Sequence, residues 1–294
     1  MHQAPLHQLS PGPCTGQLIW LVAGTGDGPP LAAALLARGW WVRVSVVTPE
    51  ALRAYAPHPR LQLQAGPLAG EAAVELLLER HRPAWVVDAS HPFASRISHH
   101  LAAVCRRRAQ PWLSLQRAAV SGADAVPDQR RVLLPELAAL GQLDLQGERL
   151  LLGIGSRQLP AALALIPGVV PFARVLDRPA SLQLALAAGL PDGHLACLRP
   201  DPLADGALEQ ALCRRWRITA VLCRQSGGTA EAMWHRVCRR LHLRLLLLAC
   251  PAPVAGATSL QAGSLLEKLG TPPPTLDAHQ RDPGPDHRSR WGAS

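Results

Sequence analysis

The chain has 294 residues, a formal charge of +9, an isoelectric point near 10.1 and a hydrophobic share of 48%. That length suits one large or two modest domains with a real core, and the longest apolar runs, such as Leu243–Cys250, fall far short of the ~20 residues a membrane helix needs. Lys268 is the sole lysine, so the charge is arginine without a basic stripe interleaved with aromatics. It points to an acidic small-molecule ligand, with no nucleic-acid and no membrane partner expected.

In chain order, residues 1–16 have no apolar periodicity and read as a disordered tail. They carry no basic region followed by an apolar segment of the secretory kind, so a cytoplasmic protein is expected. Residues 17–118 then alternate strands and helices. The strands are expected over Leu18–Ala23, Trp41–Val47, Leu61–Gln64, Ala84–Asp88 and Trp112–Leu115, and the helices over Pro30–Arg38, Pro49–Tyr55, Glu71–His81 and Phe93–Arg107. The stretch Ala118–Arg130 loses this rhythm and reads as an inter-domain connection.

A second alternation fills residues 131–251. Strands are expected over Leu150–Ile154, Val170–Val175, His194–Leu198, Ala220–Cys223 and Arg244–Ala249, with helices over Gln158–Leu165, Ser181–Ala188, Ala204–Trp216 and Ala230–Leu241. Residues 271–294, rich in Pro, Gly and His, read as a second disordered tail. The pattern predicts an α/β protein of two Rossmann-like parallel-sheet lobes with a cleft between them.

Seven cysteines, an odd number without a C-x-x-C pair, argue against a disulfide framework and against zinc, and most are expected to be reduced core residues. His99 and His100 are adjacent on a helix and diverge by about 100°, so no protein-bound metal is expected.

Chemistry concentrates where strands end. After the first strand, Gly24-Thr25-Gly26-Asp27 opens a Gly-rich turn that runs into a helix, an arrangement whose backbone N–H groups bind phosphate. At the end of the second strand, where an NAD-binding fold places an acid on the ribose, stand Ser45, Thr48 and Arg53, with Glu50 the only acid nearby. That balance favours NADPH, with NADH possible. After the fourth strand comes DASHPFASRIS, Asp88–Ser98, which sets an acid, a hydroxyl and an imidazole before Pro92, a residue suited to a first helical turn. Taken alone, such a segment is more readily a helix cap than a site. In the second lobe, Gly153–Leu159 and Cys223–Glu231 place further anion-binding turns after strands.

These segments resemble the precorrin-6A reductase family of corrin-ring biosynthesis, including its cobalt-precorrin-6A branch, over about Leu18–Pro251. The resemblance rests on Gly24, Thr25 and Asp27; on Asp88, Ser90, His91, Pro92, Phe93 and Ala94; on Ile97-Ser98; and in the second lobe on Gly155-Ser156, Ala173–Leu176 and Ser226-Gly227-Gly228. The chain departs from the family pattern at Leu113–Ala118, where only Arg117 keeps a charge, at Cys223-Arg224-Gln225, where an acid is lost, and at Arg199-Pro200-Asp201.

The resemblance implies NADPH-dependent reduction of one macrocycle double bond of precorrin-6A, or its cobalt form, to precorrin-6B. It makes Gly24, Thr25, Gly26, Asp27, Thr48 and Arg53 the cofactor contacts. Asp88, Ser90 and His91 become the catalytic group that orients the ring or relays a proton. Arg117, Arg174 and Arg224 become contacts for the substrate's carboxylates, with Gly155, Ser156, Ser226 and Gly227 beside them. A short-chain dehydrogenase is excluded, since Tyr55 and Lys268 form no Tyr-x-x-x-Lys pair. A SAM-dependent tetrapyrrole methyltransferase and a non-catalytic dinucleotide sensor remain as alternatives.

Overall fold

The computed structural model describes residues 16–24, 26–191, 193–199 and 205–274. The first sheet is built from β1 (Leu18–Ala23), β2 (Trp41–Val46), β3 (Leu61–Ala65), β4 (Trp85–Ala89) and β5 (Trp112–Leu115), with helices α1 (Gly28–Ala37), α2 (Gly70–His81) and α3 (Ser95–Arg107) between them. The second contains β6 (Arg131–Leu134), β7 (Arg149–Gly153), β8 (Val170–Leu176), β9 (Leu195–Leu198), β10 (Ala220–Arg224) and β11 (Arg244–Leu248). Its helices are α4 (Leu159–Ala164), α5 (Pro179–Ala187), α6 (Ala207–Arg215) and α7 (Gly228–Leu241). The chain ends its described course in β12 (Ser259–Leu260) and α8 (Ala262–Leu269).

Each sheet has six parallel strands, in the orders β12-β5-β4-β1-β2-β3 and β6-β11-β10-β7-β8-β9. Both reverse direction beside their first central strand, between β1 and β4 and between β7 and β10, the switch points at which open sheets bind ligands. All four turns singled out in the sequence stand at these strand ends.

The central strands of both sheets are buried on both faces, and the period of two divides their side chains. Ile19 and Leu21 of β1 pack with Leu31 and Leu35 of α1, while Trp20 and Val22 pack with Leu101 and Val104 of α3. In the second sheet Leu151, Val221 and Leu245 meet Trp234 and Val237 of α7, whereas Leu150, Leu152 and Leu222 meet Leu159 and Ala162 of α4.

The segment after β11 returns to the first lobe. Its β12 pairs with β5, Ser259 against Ser114 and Leu260 against Leu115, and α8 buries Leu265 and Leu269 in the first lobe's core beside Trp40 and Leu35. The sequence assigns residues 252–270 to neither lobe, because a two-residue strand and an eight-residue helix carry too little periodicity to reveal their partner. It also passes over β6, a four-residue edge strand.

Local departures have physical causes. The helix expected from Phe93 begins at Ser95, and Pro92 sits in a turn instead of the first helical turn, because the Phe93 N–H donates to His91 Nδ1 at 3.2 Å and the Ala94 N–H to the His91 carbonyl at 2.7 Å. The segment Pro49–Ala54 is a 3-10 helix whose only buried residue is Ala51. Of the expected tails, residues 1–15 and 275–294 lie outside the described residues. Thr271–Pro274 pack on the first lobe, with Gln17 Nε2 donating to the Pro273 carbonyl at 3.0 Å. The six described cysteines are free, four of them buried, while Cys14 lies outside the described residues.

Candidate active site

Between the lobes lies a cavity of about 350 Å3, walled by the carboxyl ends of β4 and β5 on one side and by the turn after β10 and the segment 250–254 on the other. Strand register builds its floor: Asp88 stands beside Val22 of β1 and Ser114 of β5. Asp88 is 3% exposed, and its Oδ1 accepts the Ser90 N–H at 3.0 Å, a local turn that presents Ser90 to the cavity. Ser90 Oγ is 3.4 Å from Ser98 Oγ on the first turns of α3.

His91 opens onto the cavity from between the two lobes. Burial, then the Arg224 and Arg117 charges, pull its imidazole down to about 4, against a smaller opposing pull from Asp27. With Nδ1 accepting from Phe93, the neutral ring holds its proton on Nε2 and is a hydrogen-bond donor, not a charged acid, at neutral pH.

Arg117 joins the pieces. Its Nε donates to Asp27 Oδ2 at 2.7 Å, Nη1 to the Ser90 carbonyl at 3.1 Å and Nη2 to the Ala89 carbonyl at 3.4 Å. One guanidinium thus ties the Gly-rich turn after β1 to the segment after β4, at the edge of the cavity.

The Gly-rich turn itself has two kinds of glycine. A Cβ on Gly24 or Gly26 would meet no protein atom within 4 Å, so their backbone faces open space that a ligand can approach. A Cβ on Gly28 would fall 2.1 Å from the Tyr55 hydroxyl and 2.8 Å from Ala23 Cβ, so that glycine lets α1 pack on β1. Tyr55 in turn donates to the Gly24 carbonyl at 2.8 Å, and burial pushes its phenol well above the usual range. The N-terminus of α1 has no side-chain cap, but Pro29 and Pro30 carry no N–H and the Leu31 N–H donates to the Asp27 carbonyl at 3.2 Å, so in the first turn only Gly28 offers an N–H to an external acceptor. Thr25 lies outside the described residues.

At the end of β2, Ser45 is turned inward, its hydroxyl accepting the Trp20 indole N–H at 2.9 Å, and so does not face a ligand. Thr48 is half-buried and Arg53 exposed on the following 3-10 helix. Their neighbour Glu50 is held below the usual carboxylate range by its own backbone N–H and the Thr48 hydroxyl, with the Arg178 and Arg53 charges adding to it. Arg178 reaches this corner from the second lobe, at the start of α5; no strand-end pattern in the sequence marks it.

In the second lobe Ser226 and Gly227 line the cavity, while Gly155, Ser156 and Arg224, expected beside the substrate, are not among its lining residues. Gly155 has φ +86° and leaves room for Arg224, whose Nη2 donates to Gln158 Oε1 at 3.0 Å and whose guanidinium lies 5.1 Å from the Phe93 ring centroid of the first lobe. Arg224 therefore stacks behind His91 and braces the two lobes. Arg174 corrects an expectation: it is not among the cavity's lining residues, and its Nη2 is engaged by the buried Glu209 carboxylate at 3.3 Å and the Arg199 carbonyl at 3.3 Å. The alternation along β8 marks Arg174 as charged but gives no sign of the acid on α6 that neutralises it.

The sequence also passed over Gln225, Glu231 and the 250–254 segment of the cavity wall. Gln225 Oε1 accepts the Cys250 N–H at 3.4 Å, and Glu231 Oε2 accepts the Gly227 N–H at 2.6 Å.

Residues 18–267 match the family described as precorrin-6x reductase CbiJ/CobK. Among curated relatives, a cobalt-precorrin-6A reductase of Synechocystis sp. is 32% identical over 81% of this chain and 90% of its own length. A precorrin-6A reductase of Rhodococcus erythropolis is 29% identical over 82% and 91%. The solved structure of CobK precorrin-6A reductase superposes with a TM-score of 0.69 at 26% identity, covering 89% of this chain and all of that one.

Proposed function

Since the chain belongs to the precorrin-6x reductase family, a reductase acting on a ring C=C bond with a nicotinamide cofactor, we propose that its hydride donor is NADPH. We propose further that the cavity between the lobes receives the precorrin-6A ring. The observation that supports this most is the joining of three family segments at one place: Asp88–Ser98 in the wall, the turn after β10 opposite, and the Gly-rich turn tethered to both through Arg117.

The residues present fit the cofactor. Gly24 and Gly26 leave the backbone of the turn open to a pyrophosphate, with the Gly28 N–H as the one first-turn donor of α1, since Pro29 and Pro30 have none. Thr48 and Arg53, with Arg178 opposite, suit a 2′-phosphate better than ribose hydroxyls, as the single nearby acid is already engaged. Bound there, the nicotinamide supplies a hydride to the macrocycle.

The rest falls to side chains. Arg117 receives a carboxylate of the substrate, and Arg224, held by Gln158 and Phe93 outside the lining, adds positive charge that offsets the substrate's. His91, neutral, donates from Nε2 to an acceptor on the ring, and the Ser90 and Ser98 hydroxyls form a short relay beside Asp88 along which a proton moves to the carbon neighbouring the reduced one. The narrow space between the lobes keeps reactants in register, which is the main contribution a protein makes to hydride transfer.

The test is turnover. The purified protein, mixed with precorrin-6A or cobalt-precorrin-6A and either NADPH or NADH, should consume reduced nicotinamide and bleach the substrate spectrum in step, faster with NADPH. Nicotinamide binding with neither change would identify a sensor and overturn the catalytic reading.

A further inference from the structure

From the cavity wall at Glu231 a buried polar chain runs inward that the reduction as described does not use. Glu231, on the first turn of α7, and His235, one turn on, are 3% and 0% exposed. His235 Nδ1 accepts the Val126 N–H at 2.9 Å, so the connection between the lobes is anchored on this imidazole and the ring proton sits on Nε2. Nε2 makes no hydrogen bond among the described residues and lies 3.5 Å from Glu231 Oε1, a gap that a few tenths of an ångström would turn into one. The other carboxylate oxygen, Oε2, holds the Gly227 N–H at 2.6 Å.

Gly227 brings the second lobe close against Arg117. A Cβ there would fall 2.5 Å from Arg117 Cβ and 3.0 Å from the Ala118 carbonyl, and its φ of +67° is one that glycine adopts without strain. The turn thus serves as a backstop for the Cβ and backbone of Arg117, from which the guanidinium reaches Asp27.

We infer that Glu231 and His235 are positioning residues: they tie the inter-lobe connection at Val126 to the Gly227 turn and thereby fix Arg117 in the cleft for a substrate carboxylate. This rests on the reading of Arg117 as a carboxylate contact. The two carboxylate oxygens face one N–H each, and a glutamine at 231 has a single acceptor oxygen for both, at nearly unchanged volume. Glu231→Gln therefore weakens one tie without emptying the core. An asparagine at 235 retains an acceptor near the place of Nδ1 for Val126 and loses the reach to Glu231.

The experiment compares steady-state kinetics with precorrin-6A and saturating NADPH, together with unfolding midpoints, for Glu231→Gln, His235→Asn, Arg117→Ala and Glu231→Gln combined with Arg117→Ala. The expected result is a rise of about tenfold in KM for precorrin-6A in Glu231→Gln and His235→Asn, with kcat within about threefold of the native value. Glu231→Gln should add no further rise once Arg117 is alanine. A native KM in both single variants, whether or not the midpoint falls, overturns the inference while leaving Arg117's role intact. So does a rise in KM that multiplies with that of Arg117→Ala. A native KM in Arg117→Ala itself overturns the carboxylate reading, and the positioning inference with it.

Discussion

His91 combines an open edge with a suppressed charge. Its folded value of about 4 lies below the ordinary 6.5, so the unfolded chain takes up the proton first. The resulting contribution to stability is complete above pH 6.5 and is lost as pH falls from there through 4. In the free protein, His91 should therefore show no titration between pH 5 and 8 by NMR, and kcat/KM should show no acid limb near 6.5 that disappears in His91→Ala. Replacing the ring removes a donor from the cleft, so kcat should fall by about a hundred- to ten-thousandfold with little change in unfolding midpoint. Asp88→Asn separates two roles of the native acid. The amide oxygen still accepts the Ser90 N–H, so the turn survives, and a loss of turnover at native stability would assign the effect to the charge. At the other end of the cleft, Arg53→Ala should narrow the NADPH preference by about 1.5–3 kcal/mol, roughly ten- to a hundredfold in the ratio of kcat/KM values. Equal kcat/KM for both cofactors in the native protein would refute the assignment.

At the scale of elements, the turn between β1 and α1 divides its glycines between open backbone and packing. An alanine at Gly28 collides with Tyr55 and Ala23, and overpacking of this kind should cost about 1–3 kcal/mol of stability, read as a lower denaturant midpoint. Alanine at Gly24 or Gly26 meets no protein atom within 4 Å, so those variants should unfold at the native midpoint while the KM for nicotinamide cofactor rises. Should all three variants lose stability alike, the turn would be only a structural one. The sequence marks all three as glycines, but the reason each is needed depends on where Tyr55 lies, and Tyr55 arrives from a 3-10 helix beyond β2.

For the whole molecule, the consequential feature is the return of the chain from the second lobe to the first. Leu265 and Leu269 are 0% and 4% exposed inside the first lobe's core, and burying each contributes about 1.5–3 kcal/mol. The Trp40 indole N–H adds a bond to the Gly270 carbonyl at 3.0 Å. A chain cut after residue 257 loses that helix and bares the edge of β5, so it should melt well below the native temperature or fail to fold, and residues 17–118 expressed alone should do the same. A cut after residue 274 keeps every one of these contacts and should leave the midpoint unchanged. The crossing also bears on function, because the 250–254 segment that carries the chain back is one wall of the cavity.

Local pattern alone determined the alternation of strands and helices, the two-lobe α/β class, the four turns at strand ends and the family resemblance of Asp88–Ser98. Burial on both faces of a parallel strand and a glycine at a strand end leave their mark within a few residues, and such marks survive in a linear text. The tertiary structure decided how each charge is engaged. Arg174, Arg224 and Arg117 read alike along the chain, yet one is neutralised by Glu209, one is stacked on Phe93 from the other lobe, and one holds Asp27 at the mouth of the cavity. Those partners are 35 to 131 residues away in sequence, and an electrostatic pairing at such separation is set by the packing of whole lobes, which no local spacing records.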